Sequence, residues 1–308
     1  MAHPVEITCW HWVGFISCVL LFLAADLGLF HRRAHVVKVR EALLWSVVWF
    51  SLALIFAVAV HIFRSPREAL EFGAGYLIEL SLSLDNVFVI ALIFGYFQIP
   101  PEHQHRVLFW GILGALLMRG VMIGLGLALV SHLHWVLYLF GAFLLYTGLK
   151  MVFVRPKVEP EKNPVIRFAR KVYPISPKLD GQRFLTTWNG HRALTPLALV
   201  LIMVEATDLL FAVDSIPAVF GVTTVPFIVF TSNIFAILGL RSLYFVLAGA
   251  MTYFRFLKYG LAFVLVFIGV KMLIARHVEI PISVSLGTVA AILLISIGLS
   301  VITAPRNK

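Results

Sequence analysis

The sequence predicts an all-α, multi-pass membrane protein, and two observations carry that prediction: the composition and the length of the apolar stretches. Of the 308 residues, 61% are hydrophobic and 13% are charged, and the mean hydropathy is +0.96. A soluble domain needs a polar surface that this composition cannot supply. A helix that crosses a bilayer needs about 20 mostly apolar residues. About nine such spans are present, at residues 10–30, 42–63, 73–97, 106–130, 133–154, 194–220, 225–251, 256–275 and 281–303.

Spans three to five and spans six to eight form two copies of one three-helix unit. Each copy opens with an acid-bearing helix, has an arginine in its second helix (Arg119 or Arg241) and closes on a Gly-x-Lys-Met motif that contains Lys150 or Lys271. The arginine-to-lysine distances are 31 and 30 residues, so the register holds across a whole helix hairpin. Because three spans is an odd number, the second copy is inserted upside-down relative to the first, as in many transporters.

The repeats divide the chain into five parts, joined by one long basic loop. The parts are an N-terminal two-helix segment (1–72), the first repeat (73–154), the basic loop (155–193), the second repeat (194–275) and a C-terminal helix and tail (276–308). The loop is too short to form a domain. Within it, Asn163–Tyr173 is either an amphipathic basic helix on the inner leaflet or part of a disordered connector.

The net charge of +10 reflects orientation in the membrane and not nucleic acid binding. Of the 25 Lys and Arg residues, eighteen lie in the C-terminal tail or in loops that follow odd-numbered spans, and three lie in the loops on the other side. Basic loops stay in the cytoplasm. We therefore expect an N-terminus outside and a C-terminus in the cytoplasm, in the inner (plasma) membrane of a bacterium. The basic residues contact the lipid bilayer, and no nucleic acid partner is expected.

Acidic residues inside the predicted spans are the strongest functional signal. Span six contains Glu205, Asp208 and Asp214, and span three contains Glu79 and Asp85. Superimposing Asp85 on Asp214 places Glu79 on Asp208, with the same spacing of six residues. An ionised carboxylate at the bilayer centre costs at least about 2.5–3.5 kcal/mol, so such residues usually mark an ion path. The pattern predicts an intramembrane cation site.

Helical geometry constrains which of these acids can share one ion. Glu205 and Asp208 are three residues apart and lie on one face. Asp208 and Asp214 are six apart, which is about 120° around a regular helix. Pro217 removes one backbone hydrogen bond and clashes with the carbonyl of Val213. This proline either frees that carbonyl as a further oxygen ligand or only kinks the helix.

Acids outnumber bases within the spans. The acids are Asp26, Glu79, Asp85, Glu205, Asp208 and Asp214. Lys150 and Lys271 lie near span ends and can reach the interface, whereas Arg119 and Arg241 lie deeper and pair with acids, as structural locks or in place of a cation. Asp26 is either an interfacial acid paired with the following basic loop or an accessory ligand. The surplus of hard oxygen ligands favours Mn²⁺, Mg²⁺ or Ca²⁺ over Zn²⁺ or Cu²⁺.

The residues at 79–88 (ELSLSLDNVF) and 205–220 (EATDLLFAVDSIPAVF), together with Ser232–Ser242, resemble the signature motifs of the TerC family. The resemblance covers nearly all nine spans. It implies membership in the LysE-type transporter superfamily and a role in manganese homeostasis, with Mn²⁺ exported as substrate. The family takes its name from tellurite-resistance operons. Carried over to this chain, the resemblance implies the metal-binding residues Glu79, Asp85, Asn86, Glu205, Asp208 and Asp214.

Other classes of protein remain open or are disfavoured. A non-transporting scaffold for metal-dependent assemblies and a Ca²⁺ transporter of the same fold remain open, as do homo-oligomers and other membrane-protein partners. An enzyme is not expected, because the sequence lacks the Gly-x-Gly-Asp and His-Glu-x-x-His motifs of intramembrane proteases. No tightly bound cofactor is expected. Cys9 and Cys18 are too few for a disulfide framework and are interpreted as small apolar residues.

Overall fold

The structure is a computed structural model that describes residues 6–25, 39–153, 164–188, 190–248 and 256–303. Helices dominate these residues, with one short β-hairpin between the sixth and seventh helices. In chain order the elements are α1 (Cys9–Ala25), α2 (Val39–Phe63), α3 (Pro66–Tyr96), α4 (Pro101–His132), α5 (Val136–Phe153), α6 (Pro164–Val172), β1 (Leu185–Trp188), β2 (His191–Leu194), α7 (Pro196–Phe220), α8 (Pro226–Ala248), α9 (Leu257–Ile274) and α10 (Ile282–Ile302).

Eight of the described helices, α2–α5 and α7–α10, are long and apolar enough to cross a bilayer. This confirms the predicted all-α, multi-pass membrane architecture. The first predicted span corresponds to α1, whose 17 residues are apolar but fall just short of a full crossing. Residues 26–38, which include the end of this predicted span, lie outside the described part of the chain. A full crossing by the first span, and with it the count of nine spans, therefore stays a prediction.

Two helices, α3 and α7, begin with the same N-terminal cap. Ser65 caps α3 by accepting a hydrogen bond from the backbone N–H of Glu68 at 3.1 Å, and proline occupies the first helical position. Thr195 caps α7 in the same way, again before a proline. Proline fits there because the first helical N–H has no partner within the helix. The cap places the start of α3 seven residues before the predicted position 73, because counting apolar residues excludes the charged first turn.

The basic loop contains more structure than the sequence analysis predicted. The helix α6 confirms the helical alternative for Asn163–Tyr173, and it buries Ile166 and Ala169 against the core that includes α7. The antiparallel hairpin of β1 and β2 was not predicted. Its sequence signal was the Asn-Gly dipeptide at 189–190, a common two-residue hairpin turn, and Gly190 has the positive φ of +79° that such turns require.

The two predicted repeats pack against each other reciprocally. The first helix of each repeat packs on the second helix of the other, so α3 contacts α8 and α4 contacts α7. The two third helices, α5 and α9, contact each other. A two-fold relation between the repeats produces this exchange of partners, and it brings α3, α4, α7 and α8 together at the centre of the molecule.

Glycines let α5 and α9 approach to backbone contact. A β-carbon on Gly148 would lie 2.8 Å from the carbonyl oxygen of Ala262, and one on Gly269 would lie 2.7 Å from that of Gly141. Gly148 and Gly269 occupy matching positions in the Gly-x-Lys-Met motifs, and Gly141 and Ala262 each lie seven residues earlier. Small residues at such crossings are the usual means of close helix association in membranes. The contact therefore repeats itself across the two-fold relation.

The predicted orientation can be tested with two exposed residues that the predicted topology places on opposite sides of the membrane. Lys178 lies in the basic loop and Glu279 lies in the loop between α9 and α10. In a background with Cys9→Ser and Cys18→Ser, Glu279→Cys is expected to react with a membrane-impermeant maleimide in intact cells. Lys178→Cys is expected to react only after permeabilisation, because basic loops stay in the cytoplasm. Reaction of Lys178→Cys in intact cells would reverse the orientation.

Candidate functional site

The centre of the molecule is an arginine held between two acids from the two repeats. Arg119 of α4 is only 1% exposed. Its Nε and Nη2 donate hydrogen bonds to the two carboxylate oxygens of Asp208 on α7, at 3.1 and 2.8 Å. Its Nη1 donates to the carboxylate of Glu79 on α3 and contacts Ser215 Oγ at 3.4 Å. Glu79 and Asp208 are the acids that occupy equivalent positions in the two repeats.

Two asparagines extend this cluster, and each has a buried oxygen atom without a donor among the described residues. Asn233 Nδ2 donates to Glu79 at 2.8 Å, and Asn86 Nδ2 donates to Asp208 at 3.2 Å. The Oδ1 atoms of both asparagines and the Oγ of Ser83 are buried and lack hydrogen-bond partners within the described residues. A buried acceptor without a donor is costly. We refer to Glu79, Asn86, Arg119, Asp208 and Asn233 as the central cluster.

Asp85 and Asp214 lie apart from the central cluster, each directed towards the third helix of the opposite repeat. Asp214 lies close to the side chain of Thr147 on α5 and within electrostatic range of Lys150. Asp85 lies within electrostatic range of Lys258 on α9. The separation follows from helical geometry, because residues six apart on a regular helix point about 120° apart.

Glu205 lies in a third environment, which differs from the central cluster and from the surroundings of Asp85 and Asp214. It lies one helical turn before Asp208, close enough for the two carboxylates to interact, and its carboxylate packs over Gly114 of α4, where a β-carbon would overlap it. One of its oxygens, Oε2, is buried and lacks a hydrogen-bond partner among the described residues. This carboxylate can therefore accept a cation or a proton without first breaking a hydrogen bond at Oε2.

The structure thus brings three of the six proposed ligands, Glu79, Asn86 and Asp208, into the central cluster and places the other three around it. Within the described ranges, no three His, Cys, Asp or Glu side chains converge as they would to hold a metal ion. The guanidinium of Arg119 lies between the two central carboxylates, so a metal site formed by the predicted set stays a prediction.

Three further residues that the sequence analysis singled out, Asp26, Pro217 and Arg241, lie outside the central cluster or outside the described residues. Arg241, which corresponds to Arg119 in register, contacts His105 Nε2 at 3.3 Å and does not join the hydrogen bonds of the central cluster. The helix α7 continues through Pro217 to Phe220, and Val213 is exposed on its surface. The proline therefore lies in the last turn of the helix and does not interrupt it beside Asp214. Asp26 lies outside the described residues.

A second polar cluster at the N-terminal end of α3 escaped the sequence analysis. Glu71 is 5% exposed, accepts a hydrogen bond from Arg67 Nε at 3.1 Å and another from Thr223 Oγ1 at 2.6 Å. Lys271 of α9 lies within electrostatic range. The sequence analysis missed this cluster because the predicted span began at residue 73. The Ser-Pro capping signal at 65–66 would have extended the helix to include it.

Asn233 is the one member of the central cluster that the sequence analysis did not single out as a site residue. It belongs to the run Thr231-Ser232-Asn233 inside the apolar helix α8, and all three residues are fully buried. Three consecutive polar residues within a membrane span are unusual, because each polar group needs a partner away from water. That run was the signal that could have identified Asn233.

The architecture and the buried cluster define this chain as a multi-pass helical membrane protein with a polar site between two related halves. The sequence model of the integral membrane protein TerC family matches residues 64–308. The chain belongs to that family.

Several relatives match over nearly their whole length. An uncharacterized membrane protein of Myxococcus xanthus, STKORF319, is 54% identical over 292 residues, which is 94% of this chain and 92% of the relative. The protein of Escherichia coli K12 named putative membrane-bound redox modulator Alx is 49% identical over 298 residues, 92% of each chain. An uncharacterized membrane protein of Rickettsia bellii is 40% identical over 94% of this chain and 97% of the relative. No solved structure matches.

Proposed function

We propose that the protein is a transporter of divalent metal ions that exports Mn²⁺, and not an enzyme. The observation that carries the proposal is the meeting of Glu79 and Asp208, equivalent acids of the two repeats, in a buried cluster between four membrane helices. Buried carboxylates at the interface of two related halves are the usual position of a transporter's substrate site.

The chemistry of the site favours a hard cation. Its candidate ligands are carboxylate, amide and hydroxyl oxygens, which suit Mn²⁺, Mg²⁺ and Ca²⁺. Within the described part of the chain, both cysteines lie on α1, away from the cluster. The choice of Mn²⁺ over Ca²⁺ or Mg²⁺ rests on the family resemblance given by the two signature motifs.

Binding of a metal ion by carboxylates is coupled to the release of protons from them. A cation binds the ionised form of a carboxylate, so its entry releases any proton that the group holds and its departure lets the proton return. We propose that Glu205, whose Oε2 lacks a hydrogen-bond partner among the described residues, takes part in this exchange. In the inner membrane of a respiring bacterium, the inward proton gradient would then drive metal outward.

Purified protein in liposomes tests the proposal. We expect the protein to carry Mn²⁺ across the bilayer, measured with an entrapped Mn²⁺-sensitive dye, and to do so faster when a pH gradient is imposed. Liposomes without protein provide the baseline. Failure to move Mn²⁺, Mg²⁺ or Ca²⁺ under any gradient would favour a non-transporting scaffold.

A redox role, which the name of the Escherichia coli relative suggests for that protein, is not supported by the cysteines of this chain. Cys9 and Cys18 are both free and exposed on α1. Nine residues of helix separate them by about 13 Å along the axis, whereas a disulfide needs α-carbons within about 7 Å. They cannot form a dithiol pair with each other.

A further inference from the structure

Arg119 is itself a cation that already satisfies the two central carboxylates. We infer that Arg119 is a tethered competitor of the substrate cation, which fills the site when it is empty and must leave Glu79 and Asp208 before a divalent cation binds them. The inference rests on the proposed function and adds a residue-level step to it.

Charge explains why the two cations exclude each other. With Arg119 in place, the two carboxylates and the guanidinium carry a net charge of −1. A divalent cation in its place makes the group neutral, whereas a divalent cation beside it makes the group positive. Two positive charges a few ångströms apart repel strongly in a buried site, because the effective dielectric constant is far below that of water. Arg119 is 1% exposed, so water cannot screen that repulsion.

The ligands left behind by Arg119 suit a cation. Its departure frees both carboxylates, and the Oδ1 atoms of Asn86 and Asn233 already lack donors in the described structure. Both asparagines are held in place by their Nδ2 hydrogen bonds to those same carboxylates. The result is two carboxylates with two amide oxygens on rigid helices, a set of oxygen ligands that matches Mn²⁺, Mg²⁺ or Ca²⁺.

A purely structural role fits these observations less well. An arginine selected only to lock the helices together would be expected to form part of a fully satisfied network, because partly satisfied buried networks are costly. Here the Oδ1 atoms of Asn86 and Asn233, whose Nδ2 groups donate to the same two carboxylates, remain without donors among the described residues. Among the described residues, Arg241, the register equivalent, contacts His105 and makes no hydrogen bond to Glu79 or Asp208. The role is therefore specific to one arginine of the pair.

The test measures Mn²⁺ binding to detergent-purified protein by isothermal titration calorimetry at fixed pH. Arg119→Ala is expected to bind Mn²⁺ about tenfold more tightly than wild type, or better, because the competing charge is gone. Adding guanidinium chloride at low millimolar concentration is expected to weaken binding to Arg119→Ala, because the free ion can occupy the vacated space. Sodium chloride at equal ionic strength controls for screening, and Arg241→Ala controls for the loss of a buried arginine.

The outcomes separate this inference from the proposed function. Tighter binding by Arg119→Ala that guanidinium reverses supports the inference. Equal or weaker binding by folded Arg119→Ala overturns it and leaves the proposed function standing, whereas absence of Mn²⁺ binding in wild type and variants alike overturns both. If Arg119→Ala does not yield monodisperse protein, Arg119→Lys decides. Lysine keeps the charge but loses the paired hydrogen bonds to Asp208, so tighter binding than wild type supports the inference and equal or weaker binding overturns it.

Discussion

Glu79→Gln and Asp208→Asn are each expected to reduce Mn²⁺ transport in liposomes at least about 100-fold. Each substitution removes one of the two carboxylates that Arg119 holds together. The remaining carboxylate then pairs with the guanidinium one to one, so a cation gains little by displacing it. Loss of outer-shell groups alone typically costs about 10–100-fold in metal affinity, and these residues are proposed as direct ligands.

Matched controls separate this effect from a general effect of charge. Glu6→Gln and Asp180→Asn make the same chemical changes outside the membrane helices and are expected to transport at the wild-type rate. Thermal unfolding of each variant in detergent checks that the fold survives. Transport at the wild-type rate by both folded central variants would place the substrate site elsewhere, with Asp85 and Asp214 the next candidates.

Gly269→Ala is expected to destabilise the protein by about 1–3 kcal/mol, the usual range for inserting a methyl group into a filled core. The new β-carbon would lie 2.7 Å from the carbonyl oxygen of Gly141 and 2.8 Å from the amide nitrogen of Leu145. Both are backbone atoms, so α5 and α9 must separate to make room. A lower midpoint of thermal unfolding in detergent measures the effect.

Gly298→Ala provides the comparison, because it adds the same methyl group to a membrane helix. No atom lies within 4 Å of a β-carbon at that position in α10, and alanine favours the helix over glycine. This variant should be as stable as wild type or slightly more stable. Equal stability of the two variants would show that the α5–α9 contact is less tight than the structure indicates.

The equivalence of Glu79 and Asp208 could be predicted because it depends only on spacing along the chain. The length of the apolar stretches likewise predicted the eight helices that are long and apolar enough to cross a bilayer. The separation of Asp208 from Asp214 also followed, since the angle between residues six apart is a property of any regular helix. These inferences needed no knowledge of which helices are neighbours.

The remaining features depend on neighbours that spacing does not specify. Arg119 and Arg241 are equivalent in register, yet only Arg119 forms the central hydrogen bonds. Nothing in the sequence around either arginine distinguishes them. Asn233 reaches Glu79 from a helix 154 residues away in sequence. Of the two alternatives for Pro217, a freed carbonyl or an ordinary kink, the sequence could not choose; the helix continues through Pro217 to Phe220.

The polar contacts that Glu71 and Glu79 make from the same helix, α3, have a mechanical consequence. Glu71 is fixed to Thr223, and eight residues later Glu79 is fixed to Arg119 and Asn233. Eight residues of continuous helix rise about 12 Å, so a rigid rod joins the end of the helix to its middle. A sliding of α3 large enough to release Glu79 would therefore also strain the contact of Glu71 with Thr223, so the two contacts would respond together to movement of this one helix.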